Sequence, residues 1–125
     1  MSSGPPISPV FAEPSAEAAP GRLVEVSADV RAAVLLDAAG GLVASSLAET
    51  TQARRLAELT HELVLGADSA SRVPAEQIEA QTGAGAVFAV RSARHTLACV
   101  VRRLALPALI LYDLHRAMDE IEASA

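Results

Sequence analysis

The chain has 125 residues, 51% hydrophobic and 20% charged, with a net charge of -5. That is one small domain by length, with material for one core. Its acidity and its three aromatics (Phe11, Phe88, Tyr112, no Trp) argue against nucleic acid, which needs clustered Lys and Arg or a stacking platform. Cys99 is the only cysteine, so no intramolecular disulfide can form. No apolar run reaches the roughly 18 residues of a membrane span, and the N-terminus does not read as a signal peptide. A cytoplasmic, soluble protein is expected.

Residues 1–21 hold Pro5, Pro6, Pro9, Pro14 and Pro20. Such a stretch cannot bury enough apolar surface to offset its ordering entropy, so a flexible tail is expected, with the folded domain spanning 22–125. "GRLVEVSADV" could form a short helix with Leu23, Val24 and Val26 on the core. Ala32 to Asp37 is a continuous apolar run, as in a central strand. Ala38 to Gly41 supplies a tight turn, and Leu42 to Ser46 returns as a shorter edge strand.

From Gln52 to Ala70 the period becomes 3.6, with Thr50 or Thr51 as the cap. Leu56, Leu59, Leu63, Ala67 and Ala70 make one stripe. Ala53, Ala57, Thr60 and Val64 make a second, of smaller residues. Arg54, Glu58, His61, Glu62 and Asp68 lie on the polar side, where Arg54 and Glu58 are spaced for an ion pair; Leu65 among them is either a lone exposed apolar residue, which is ordinary, or an anchor for a partner. An apolar arc this wide packs against more than one surface.

"QIEAQT", Gln77 to Thr82, alternates as a half-buried strand does. "AVFAVR" (86–91) and "TLACVV" (96–101) read as central strands. Pro107 opens a last helix, with Ile110, Leu111, Leu114, Ala117, Met118 and Ile121 inward. The order β-β-α-β-β-β-α, with short turns between strands, predicts an α+β fold. It has a five-stranded antiparallel sheet with two helices on one of its faces.

No motif carries catalysis. "TGAGA" (82–86) joins two strands and opens no helix, so it reads as a turn rather than a phosphate cradle. His95 and Cys99 lie roughly 13 Å apart on one strand, too far to share an ion, and His115 with Asp119 lacks a third ligand. Cys99 reads as a buried thiol. "VASSL" lacks the glycines of a nucleophile elbow, so Ser45, Ser46 and Asp37 give no hydrolase. No catalytic residue, metal or cofactor is expected.

The hairpin "VRAAVLLDAAGGLVASS", the helix "ARRLAELTHELVLGADSAS", the strand "QIEAQTGAG", its successors "AVFAVR" and "TLACVV", and the last helix "PALILYDLHRAMDEI" resemble the roadblock/dynein-light-chain domain in its bacterial form. The match runs from Val30 to about Glu122 and carries no catalytic signature. It departs before the hairpin, where the family has a full helix and this chain has Pro20 and Gly21. The resemblance implies a profilin-like scaffold, with its five strands in the order 2-1-5-4-3, and a homodimer. In it the third strand (Gln77, Ile78, Glu79, Ala80, Gln81) pairs with its copy into a ten-stranded sheet, and the long helices pack together.

The small stripe Ala53, Ala57, Thr60, Val64, with Ala67, would face the partner helix, while Arg54, Glu58, His61 and Leu65 would meet another protein. Bacterial relatives are linked to small Ras-like GTPases, so a non-catalytic regulator or scaffold for such a GTPase, in a signalling or polarity module, is the leading expectation. Two alternatives stay open. One is a small-ligand sensor with a pocket among Ala44, Ala89 and Ala98. The other is a structural subunit of a larger complex.

Overall fold

The computed structural model describes residues 16–81, 85–102 and 105–124. Its elements are α1 (Ala19–Val26), β1 (Val30–Asp37), β2 (Leu42–Ser45), α2 (Thr50–Ser69), β3 (Gln77–Gln81), β4 (Gly85–Arg91), β5 (His95–Arg102) and α3 (Pro107–Ser124). The strands form one antiparallel sheet in the order β2-β1-β5-β4-β3.

The central strands are buried along almost their whole length because both faces of the sheet are covered. On one face Ala33, Leu35, Phe88, Val90, Leu97, Cys99 and Val101 meet Leu23 of α1 and Ile110, Leu114, Met118 and Ile121 of α3. On the other, Ala32, Val34, Leu36, Ala89 and Ala98 meet Leu56 and Ala57 of α2. The expected arrangement, both long helices on one face, is therefore wrong. Continuous apolar strands expose side chains on two faces, and one helical layer leaves half of them in water. Each fully buried Ile or Leu of α3 contributes on the order of 1.5–3 kcal/mol.

α1 begins at Ala19, inside the stretch that its prolines assigned to the tail. Pro20 occupies the first turn, where its missing N–H is no loss, and both Pro20 and Leu23 are buried. Leu23 is on the core as expected and Val24 packs at its edge, whereas Val26 is 74% exposed.

The first turn is built by Asp37. Its Oδ1 accepts from the backbone N–H of Ala39 at 3.0 Å and of Gly41 at 2.8 Å. Gly40 alone among the described residues takes a positive φ, +93°, and His61 of α2 lies directly against it. Ser46 extends the ladder past the end of β2: its N–H donates to Ala33 O, and its Oγ accepts from Ala33 N at 2.9 Å. α2 starts at Thr50, one of the two expected caps, so the capping position falls one residue earlier. Glu49 is the N-cap and makes no side-chain cap bond, so neither Thr50 nor Thr51 caps it. Of "TGAGA", residues 82–84 lie outside the described residues. Gly85 closes on β5 so tightly that a Cβ would run into the Val101 carbonyl.

Candidate interaction surface

β3 is the outer strand of the sheet, hydrogen-bonded only to β4 among the described strands. Ile78 and Ala80 are half-buried, whereas Gln77, Glu79 and Gln81 are exposed. Ile78 packs on the α2 side of the sheet. Gln77, Glu79 and Gln81 pair directly with Val90, Phe88 and Ala86 of the other face. There Gln81 Nε2 donates to Glu79 Oε2 at 2.7 Å, and Gln77 Oε1 meets His115 Nε2 of α3. One charged residue on a five-residue edge, with no proline in the strand, no bulge in its pairing with β4 and no further strand beside it among the described residues, leaves the outer edge competent to pair with another strand.

The helix behind that edge is rotated from the expected setting. Ala53, Ala57, Thr60 and Val64, expected to face a partner, are buried under the chain's own sheet together with Leu56. The reason is steric fit. The sheet beneath them is paved with Ala32, Ala89 and Ala98, and small residues on both sides let the helix approach closely. The pocket expected among the alanines is filled in the same way. Ala89 and Ala98 are 1% and 0% exposed under α2, and Ala44 packs against the opposite core.

Leu56 apart, which is buried on the sheet, the larger stripe is the one left outside. Leu59 is 41% exposed, Leu63 and Ala67 are half-buried, and Ala70 is exposed. At helical spacing Leu59, Leu63, Gly66 and Ala70 form one apolar flank, and nothing stands within 4 Å of where a Gly66 Cβ would be. On the opposite flank Arg54, Glu58 and Leu65 are exposed, and His61 is half-buried against the first turn. Arg54 and Glu58 do not form the ion pair their spacing allows, since both are solvated. Arg116 and Glu120 of α3 do, at 3.9 Å.

Thr60 Oγ1 is fully buried and finds no hydrogen-bond partner among the described residues.

Two polar clusters tie the helices to the strand ends, and periodicity gave no signal for either because they join residues far apart in sequence. Asp68 Oδ1, in the last turn of α2, accepts from Arg91 Nη1 at 2.8 Å and from Ala75 N at 3.2 Å, while Arg91 Nη1 also donates to Ala75 O. The Arg91 hydrogen bond, then the Ala75 N–H, holds the Asp68 carboxyl below the usual carboxylate range. At the far end of α3, Glu122 Oε2 accepts from Ser92 Oγ at 2.7 Å and bonds His95 Nδ1 at 2.8 Å. Those two bonds, His95 first, hold its carboxyl down as well. The Ser92 hydroxyl bonds the Glu122 carboxylate and the His95 backbone, accepting from His95 N at 3.1 Å, and does not bond the imidazole, so the three make a tether and not a relay to a nucleophile.

Cys99 is 0% exposed, and burial pushes its thiol up to about 12, leaving no thiolate for chemistry. Among the described residues no three His, Cys, Asp or Glu side chains gather as for a metal ion, and no helix is long and apolar enough to cross a membrane.

No family model and no curated protein sequence matches the chain. Solved structures do. A Roadblock/LC7 domain from Streptomyces avermitilis superposes with a TM-score of 0.79 at 18% identity, covering 87% of this chain and 96% of that one. Myxococcus xanthus MglB gives 0.69 at 18% identity, over 86% and 91%. Acanthamoeba castellanii profilin IB gives 0.59 at 16% identity, over 87% and 98%. The chain thus has the fold of Roadblock/LC7 domains, within a wider profilin-like architecture.

Proposed function

We propose that this chain is a non-catalytic regulator that works as a homodimer and docks a small Ras-like GTPase. The observation that carries the reading is the pairing-competent outer edge of β3, with the apolar flank Leu59, Leu63, Gly66 and Ala70 on α2 beside it. Gln77, Ile78, Glu79, Ala80 and Gln81 would pair with their copies across a two-fold axis, and the α2 flank with Ala67 would meet its copy. Isologous contact of this kind is the commonest oligomer geometry. Arg54, Glu58, His61 and Leu65, on the other flank of α2, remain available to the GTPase. Likeness in fold to Myxococcus xanthus MglB supports the regulator class.

Light scattering on a sizing column tests the dimer. Twice the mass of one chain is expected at about 20 μM, a concentration at which a micromolar dissociation constant already favours the dimer; a strict monomer refutes it. The GTPase arm is read separately, by capturing small Ras-like GTPases loaded with GDP or a GTP analogue and following hydrolysis. Binding without any effect on nucleotide turnover would favour the structural-subunit reading.

A further inference from the structure

On the face away from α2, a groove of about 280 Å3 separates α1 from α3. Leu23, Ala117 and Ile121 make its apolar floor, and its rim sets Arg22 and Arg116 against Asp113 and Glu120. The rim charges balance, so neither an acidic nor a basic occupant is favoured. Beyond one end the apolar surface continues. The Arg102 N–H donates to Asp29 O at 3.0 Å, and Arg102 O accepts from Ala105 N at 3.2 Å. These bonds bring the end of α1 and the start of α3 together. Val26, Leu106 and Leu109, there, are 74%, 61% and 58% exposed.

The chain that precedes the groove arrives already packed: Ala16 and Ala19 lie against the core formed by Leu23, Ile121 and their neighbours. Ala16, the first described residue, stands three positions before Ala19, which itself lines the groove.

We propose that residues 1–15 of this same chain occupy the groove, with Ile7, Val10 and Phe11 on its apolar floor and over Val26 and Leu109. Reach is not limiting. α1 is eight residues long, roughly 12 Å, a span that an extended chain crosses in about four residues; Phe11 precedes Ala16 by five. Composition fits as well, since Glu13 is the one charged side chain in 1–15, matching a rim with no net charge. Pro5, Pro6, Pro9 and Pro14 restrict the free segment, so less entropy is lost when it is held. A segment that cannot build a core alone borrows one, and it covers the exposed apolar end of α1 and α3.

The test uses the full chain with Phe11→Trp, which adds the only tryptophan. Acrylamide quenching in buffer is expected to be about threefold weaker than in urea, as for a ring packed on apolar surface, and unchanged over about a hundredfold range of protein concentration. Leu109→Glu, at an exposed position, should restore urea-like quenching while circular dichroism shows the fold intact. Equal quenching in buffer and urea overturns the proposal. So does protection that grows with concentration, which would mean a second copy in the groove, or protection that Leu109→Glu leaves untouched.

Discussion

Asp68, in the last turn of α2, and Arg91, the last residue of β4, meet at 2.8 Å across 23 residues of sequence. Both also bind the backbone of Ala75, so the segment between α2 and β3 is tied near its β3 end. The pair thereby fixes the apolar flank of the helix relative to the open strand edge. Arg91→Ala should loosen that segment before it unfolds the domain. Amide exchange across residues 70–76 is expected to rise about tenfold, with the β5 amides unchanged. A uniform rise through β5 would show that the bridge holds the whole fold instead.

The two depressed carboxyls set an acid response. Asp68 and Glu122 have folded values below their ordinary 3.8 and 4.5. A depressed carboxyl binds its proton more weakly in the folded chain. Its stabilisation is therefore full above the unfolded value and lost as pH falls through the folded one. Melting temperature should hold from pH 7 down to about 5.5 and drop below about 4. Arg91→Ala should lower it at pH 7 and by progressively less as pH falls below the ordinary carboxylate range and Asp68 takes up its proton; a loss that stays constant with falling pH would refute the linkage.

Thr60→Val replaces a buried hydroxyl that has no partner by a methyl group of similar volume. Because an unsatisfied buried polar atom costs on the order of 1–3 kcal/mol, the variant should be more stable by about 1 kcal/mol in urea denaturation, with the m-value unchanged. Destabilisation would mean that the hydroxyl is satisfied in solution.

Cys99 should behave as a clock for unfolding. With its thiol fully buried and pushed up to about 12, an aromatic disulfide reagent should label the native chain at least about a thousandfold more slowly than the urea-unfolded chain. Labelling within seconds in buffer would place the thiol at the surface.

Leu59→Arg probes the outer flank of α2. Leu59 is 41% exposed in the single chain, so its replacement should change chain stability by less than about 0.5 kcal/mol. In a dimer that buries this flank it should weaken association by at least about tenfold, read by light scattering on dilution. An unchanged dimer would move the helix contact elsewhere.

Much of this was legible in the sequence. Glycine and proline placement, with the switch from period 2 to 3.6, located each strand and both long helices to within a residue or two, and the strand order came with the family resemblance. The setting of α2 was not legible. Two stripes on one helix look alike to a periodicity argument, and only the alanines of β1, β4 and β5, brought together by pairing, decide that the smaller stripe goes inward. α1 was half-hidden for a related reason: Pro20 counts against a helix in composition yet suits its first turn. The Asp68 and Glu122 clusters join partners 23 and 27–30 residues apart, beyond any local pattern.

With helices over both faces, this sheet can grow only sideways, and its two borders are unlike. If the β3 border is consumed by pairing, each end of the doubled sheet is a copy of β2, nine strand spacings or roughly 43 Å from the other. β2 has four residues and sits out of step with β1 beyond Leu35. So short and irregular a margin offers little template to a further strand. The hairpin at Asp37 would then act as a terminator, limiting lateral assembly to two chains.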